Sequence, residues 1–403
     1  MFIELLLAIL LGVMFGIITG LIPGIHVNLI SMILYSLSGW LLGFATPITL
    51  GTFIIAMAVT HTFLDSIPSI FLGAPDADMA LGVLPGHKLL LEGKGFEAVK
   101  LTIIGSLLAL IVTVLLIPVL LPIVPSIYSF IQPFMAYILM FVVLYMIVIE
   151  SSFKSKFYSL FLFLLSGTLG LIVLNWPNFK QPLFPMLSGL FGVSTLFISL
   201  GQDSKLPKQE VSETIVVGKG KTTKAIAAGV FSGSLTGLFP GLGAAQASIL
   251  GMGLVGEIGN YAFMILIGGI NTVNFTFSLA TLYVLSKARN GAVVVVSQLI
   301  NEVGITELII FLSAALIAGA LATFLALKIS KVAAKVITKI NYKMLVKSII
   351  GFITILTIFF SGFYGLLVLM VSSAIGMIAP LVGVKRSHAM GCLMLPVILF
   401  FLL

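Results

Sequence analysis

Long apolar runs fill this chain, separated by short turns rich in glycine, proline or charge. They cover residues 2–22, 25–45, 48–64, 101–124, 133–149, 157–174 and 183–200, and after a polar stretch 225–239, 242–256, 260–284, 306–327, 345–361, 363–382 and 388–403. Roughly 20 residues rising 1.5 Å each carry a helix across the hydrocarbon of a bilayer, whereas a membrane strand needs about ten residues of strict alternation. The runs match the first pattern and predict an all-α polytopic membrane protein of about 10–14 membrane segments. The polar stretch Gly201–Lys224 divides them into a first transmembrane repeat at 1–200, a cytoplasmic linker at 201–224 and a second repeat at 225–403.

Internal similarity supports that division. Gly16-Ile-Ile-Thr19-Gly20-Leu21-Ile-Pro23-Gly24 returns 217 residues later as Gly233-Ser-Leu-Thr236-Gly237-Leu238-Phe-Pro240-Gly241, and Ser31 falls on Ser248 in the same register. Basic residues give each half a direction, because lysine and arginine accumulate in cytoplasmic loops. In the first half they mark 86–100, 150–156 and 201–224 as inside, while the turns at 125–132 and 175–182 carry only Lys180. In the second half Lys328, Lys331, Lys335, Lys339, Lys343 and Lys347 recur at spacings of three and four, as on one face of an interfacial helix, also inside. That helix stands where the first half has the outside turn 125–132, so the two repeats are predicted to be inverted. Lys385 and Arg386 then lie inside and both termini outside, with Lys287 and Arg289 falling outside against the rule.

Composition removes several function classes. With 60 % hydrophobic and 8 % charged residues the chain lacks the polar surface of a soluble globule, and no segment outside the membrane is long enough for a soluble catalytic domain. The net charge of +8 fits loops facing anionic lipid at a cell membrane, not nucleic-acid binding. A single cysteine, Cys392, allows neither a disulfide framework nor a thiolate cluster. The first run has no basic n-region and no small-residue cleavage site, so it reads as a retained segment. His26, His61, His87 and His388 are scattered, and no His-Glu-x-x-His, Gly-x-Ser-x-Gly or phosphate-loop pattern occurs. The chain reads as no enzyme and needs no cofactor.

What remains is chemistry suited to transport. Pro-Gly within an apolar run breaks a helix, and freed backbone is tolerated at membrane depth only where protein or a wet cavity covers it. Paired breaks in two halves point to a transporter's binding site. The helices that restart after them offer amide hydrogens and a positive dipole end to a carboxylate. The substrate-binding candidates are therefore Pro23, Gly24, His26, Asn28, Pro240, Gly241, Gly243 and Gln246, with helix capping the plainer role for Asn28. His61 and Asp65 share a helical face near the membrane, and an intramembrane carboxylate is a candidate for proton or sodium coupling. Asn271, Thr272 and Asn274 interrupt an apolar run in the second half with oxygens suited to sodium, or with interhelical hydrogen bonds. Asp76 and Asp78 are loop candidates, either a weak cation site or a cap.

These blocks resemble the large membrane subunit of the tripartite tricarboxylate transporters, especially its shorter archaeal-type members. Gly20-Leu-Ile-Pro-Gly24 and Gly237-Leu-Phe-Pro-Gly-Leu-Gly243 are similar to that family's paired glycine-proline-glycine signatures. Ala74-Pro75 through Gly86-His87-Lys88-Leu89, Gly93-Lys94-Gly95 and Ala98 is similar to its next block, and Leu187-Ser-Gly-Leu-Phe-Gly192 to the end of its first half. The resemblance implies a secondary transporter of small organic anions driven by sodium or protons, working with a small membrane subunit and an extracytoplasmic binding protein. His26-Val27-Asn28 and Ala74-Pro75-Asp76 depart from the family's pattern, which leaves the cargo at the level of a small carboxylate. Two competing readings are a flippase for a lipid-linked anion such as polyprenyl phosphate, gathered by the lysine-rich helix, and a non-transporting membrane scaffold.

Overall fold

The computed structural model describes residues 2–403 except 23–26, 74–78, 80, 82, 201–206, 213, 240–242, 289, 301 and 338–341. Helices are the only regular elements among the described residues. The first are α1 (Phe2–Leu21), α2 (Val27–Ser36), a single turn α3 (Ser38–Leu41), α4 (Pro47–Leu64), α5 (Ser66–Phe71), α6 (Val83–Leu91) and α7 (Gly95–Leu120). Next come α8 (Val124–Ile131), α9 (Met135–Val148), α10 (Phe153–Leu174) and α11 (Leu183–Leu187), the last continuing through a π-helical turn Ser188–Val193 into α12 (Ser194–Leu200). The remainder are α13 (Lys219–Leu238), α14 (Ala244–Val255), α15 (Gly259–Leu285), α16 (Gly291–Leu299), α17 (Ile305–Ile337), α18 (Tyr342–Val382), a 3-10 turn Arg386–Met390 and α19 (Gly391–Leu402).

Among the described residues eight helices or helix pairs are long and apolar enough to cross a membrane, and Leu183–Ile198 and Arg386–Leu402 are shorter apolar helices. The chain is a multi-pass membrane protein. Local chemistry sets many of the boundaries. Thr46 caps α4 by accepting from the Thr49 N–H, with Pro47 pre-set at the first helical position, and Ser152 caps α10 through the Ser155 N–H. Gly362, at φ 68° and ψ −164°, splits α18 into two helices where the apolar runs 345–361 and 363–382 meet.

The lysine pattern is the expectation that fails. Lys328, Lys331 and Lys335 lie in the last turns of α17 and Lys343 and Lys347 open α18, with Lys339 outside the described residues, so among the described residues no separate interfacial helix carries these lysines. At 33 residues α17 is about 50 Å long, longer than the hydrocarbon needs, so its lysine-bearing end projects past the apolar core. Lys331 Nζ sits 5.9 Å from the centre of the Phe96 ring, which puts that end level with the start of α7. Lys287 donates to the Tyr128 hydroxyl at 3.3 Å and lies 4.7 Å from its ring centre, so the turn after α15 and the helix α8 share the opposite end. The polar stretch 201–224 ends in a helix, since α13 starts at Lys219. Its residues strap onto the α6–α7 hairpin, where buried Gln209 accepts from the Gly95 N–H and donates to the Leu90 and Pro207 carbonyls, each at 2.9 Å.

Small residues fix how the long helices dock. Gly12, Gly16 and Gly20 of α1 lie against Phe53, Met57, Thr60, His61 and Leu64 of α4. Gly229, Gly233 and Gly237 of α13 lie in the same register against Leu266, Ile270, Val273, Phe277 and Ser278 of α15. The third long helix of each half then crosses over: α7 packs on α15, and α17 packs on α4. At the α7–α15 crossing a Cβ on Gly105 would stand 2.0 Å from the Ile265 carbonyl, and one on Gly268 would stand 2.2 Å from the Thr102 carbonyl.

The helices sort into two groups. One contains α1 to α8 and α13 to α17; the other contains α9 to α12, α18 and α19. The span 124–148 links them, α8 touching α15 and α9 touching α19. Between non-consecutive described elements the closest packing across the seam is α14 on the 386–390 turn. Gly73, just after α5, meets Leu196 of α12 there as well.

Candidate functional site

The end of α4 carries the buried acid. The Asp65 N–H donates to the His61 carbonyl and closes α4, while its own carbonyl accepts the Ser69 hydroxyl at 2.7 Å in the following turn. His61 Nδ1 lies 3.2 Å from Thr19 Oγ1 of α1, four residues before Pro23. From the other half, Asn271 Nδ2 donates to Asp65 Oδ2 at 2.6 Å and to the Thr62 carbonyl at 3.4 Å. Thr62 Oγ1 and Thr272 Oγ1 complete the bridge at 3.1 Å. Asp65 is 2 % exposed and Asn271 1 %, so this polar seam joining α1, α4 and α15 is closed to bulk solvent.

Such a cluster has physical consequences. A carboxylate placed in an apolar surround is costly unless hydrogen-bonded or balanced by charge. Its oxygen, the threonine hydroxyls and the nearby carbonyls make an oxygen-rich set of the kind hard cations choose. The structure brings His61, Asp65, Asn271 and Thr272 together. Asn274 stands apart: it is half-buried, and its carbonyl accepts the Ser278 hydroxyl at 2.7 Å. By the glycine register it occupies, beside α13, the place that His61 holds beside α1. Thr19 and Thr62 complete the cluster without having been singled out in the sequence, although Thr19 belongs to the repeated block and is matched by Thr236.

The anion candidates divide differently. Pro23, Gly24, His26, Pro240 and Gly241, with the loop residues Asp76 and Asp78, lie outside the described residues, as does the side chain of Gln246. Helices α2 and α14 do restart directly after the two breaks, at Val27 and Ala244, and Gly243 is the half-buried residue that precedes α14. Asn28 caps a helix other than its own: its Oδ1 accepts the Ala292 N–H at 3.0 Å, beside Asn290 Oδ1, at the start of α16. Buried His87 lies 3.4 Å from the Ile70 carbonyl, and burial lowers its pKa below the usual 6.5.

The sequence profile of the "Tripartite tricarboxylate transporter TctA family" matches residues 6–391. "Uncharacterized protein MJ1079" of Methanocaldococcus jannaschii is 30 % identical over 359 residues, covering 87 % of this chain and 88 % of the relative. No solved structure matches this chain.

Proposed function

Because the chain belongs to the TctA family of tripartite tricarboxylate transporters, we propose that it is a secondary active transporter of small carboxylates, coupled to sodium or protons. The family's activity is transport, not catalysis. The observation that carries the coupling step is the buried contact of Asp65 with Asn271, which ties α4 to α15 beside Thr19 of α1, itself in contact with His61. Asp65, Thr62, Thr272 and Asn271 offer oxygens to sodium; alternatively Asp65 takes up the proton itself, with His61 one turn away. The anion is held by the amide hydrogens opening α2 and α14, after Pro23-Gly24 and Pro240-Gly241, without a dedicated lysine. The two repeats run in opposite senses, and alternating access moves one helix group against the other along their sparse seam. A small membrane subunit and an extracytoplasmic binding protein, the partners that give tripartite systems their name, deliver the cargo.

The test is uptake of radiolabelled citrate, tricarballylate and succinate into proteoliposomes under an imposed sodium gradient or an imposed pH gradient, with and without co-purified partners. Accumulation against a gradient that requires one of the two ions, and its loss in Asp65→Asn with the folded chain retained, is the expected result. Uptake that ignores both gradients, or that survives Asp65→Asn unchanged, would remove Asp65 from the coupling step. Movement of polyprenyl phosphate alone would replace carboxylate transport with the flippase reading.

A further inference from the structure

One arginine stands at the seam between the two helix groups. Only two of the 21 basic residues are arginines, Arg289 and Arg386, and Arg386 opens the turn against which α14 packs. Its Nη1 donates to Thr195 Oγ1 and, at 3.4 Å, to the carbonyl of Phe191 in the π-helical turn. Both acceptors are uncharged and both belong to Arg386's own helix group. Among the described residues no carboxylate pairs with this half-buried guanidinium, and neither Nε nor Nη2 has an acceptor.

A guanidinium stays charged at any physiological pH, and five donors in a planar fork suit a carboxylate gripped by two parallel bonds. Here one corner of the fork is fixed by protein and the Nε–Nη2 edge is left over. The other helix group comes close at the same place. Gly73 comes close both to Leu196, the neighbour of Thr195, and to His87 Nδ1, and Arg386's charge adds to the burial that chiefly lowers the pKa of His87. A half-buried cation that, among the described residues, is held only by neutral acceptors at a junction of two helix groups is arranged for an anion that arrives and leaves.

Charge balance makes the same demand. Two helix N-termini offer about half a positive charge each, and the charge of a coupling cation is offset by Asp65, against two or three negative charges on a di- or tricarboxylate. A permanently charged donor is missing from that account. We propose that the Nε–Nη2 edge of Arg386 binds one carboxylate group of the cargo at the seam, making Arg386 a substrate-binding residue. This assignment rests on the carboxylate-transport reading given above and adds to it the residue that selects multiply charged anions.

The experiment uses the full purified chain in detergent, with citrate, tricarballylate, succinate and acetate as probes in calorimetric and thermal-shift titrations. Binding should favour the di- and tricarboxylates over acetate and should weaken about tenfold or more in Arg386→Lys, which keeps the charge but loses the fork. Exposed Lys385→Ala, one residue away, should bind as the unmodified chain does. In a second measurement that needs no variant, saturating citrate should slow phenylglyoxal modification of Arg386, read by mass spectrometry with Arg289 as the reference. Equal binding by folded Arg386→Lys, or modification of Arg386 unaffected by bound citrate, would overturn the assignment and leave Arg386 as a brace for the π-helical turn. Failure of the unmodified chain to bind any of the four acids would instead sink the carboxylate-transport reading, and this assignment with it.

Discussion

Replacing Asn271 with leucine keeps the branching and heavy-atom count of the side chain but removes the amide that donates to Asp65 Oδ2 at 2.6 Å and to the Thr62 carbonyl at 3.4 Å. A hydrogen bond to a charged group contributes about 1.5–3 kcal/mol in water-soluble proteins, whereas neutral interhelical bonds in membranes average about 0.6 kcal/mol. The short bond to Asp65 belongs near the first range, and the long one to Thr62 adds little. We therefore expect Asn271→Leu to cost about 2 kcal/mol and to leave a buried carboxylate short of a donor. A double-mutant cycle with Asp65→Leu isolates the pair and should return a coupling of about 1–2 kcal/mol. The neutral Thr62–Thr272 contact supplies the internal reference, with an expected coupling of about 0.6 kcal/mol from Thr62→Val and Thr272→Val. Unfolding by dodecyl sulfate in mixed micelles at pH 7, followed through Trp40 and Trp176, would give all of these values. A coupling for Asp65–Asn271 below about 0.5 kcal/mol, or no greater than that of the threonine pair, would refute the view that the carboxylate is held across the two halves by this amide.

Three further outcomes follow from the packing. Gly268→Ala, whose new Cβ would lie 2.2 Å from a backbone carbonyl that cannot rotate away, should destabilise the α7–α15 crossing by about 3 kcal/mol, at the top of the overpacking range, and Gly105→Ala should do the same; unchanged unfolding midpoints would show that the helices separate at little cost. Glu150→Leu should cost about 2 kcal/mol, because buried His388 lies 3.0 Å from the Glu150 carboxylate and would lose this hydrogen-bond partner; a melting temperature within error of the parent's would count against a structural role for the pair. His87 has a pKa lowered chiefly by burial, so its neutral form is favoured in the folded chain and its contribution is intact above about pH 6.5 and eroded as the pH falls below that value. The thermal stability of His87→Gln should accordingly fall less between pH 7 and pH 5 than that of the parent, and parallel pH profiles would exclude this contribution.

The sequence by itself determined the features that depend on neighbouring residues. Apolar length placed the helices, Thr46-Pro47 and Ser152 started them, Gly362 divided the run where its backbone had to turn, and the repeated Thr-Gly-Leu-x-Pro-Gly block marked two matching helix ends. It also drew attention to Asp65 and Asn271, because an acid or an amide inside an apolar run is conspicuous at any separation. Tertiary structure decided who meets whom. The crossing of α7 onto α15 and α17 onto α4 follows from close approach at glycines that no periodicity distinguishes from others. Thr19 and Thr62 joined the polar cluster only because α1 and α15 press against α4 at those turns, and Asn28 found its acceptor role on a helix far along the chain. The lysine spacing was misleading for the same reason: a helical stripe looks alike whether it lies flat on a membrane or runs out along the projecting end of α17. Arg386 read as one more cytoplasmic charge until folding set it against Thr195 and the seam. Hydrophobic length and backbone punctuation are local quantities, while partnership among buried polar groups is fixed only when distant helices pack and water is excluded from between them.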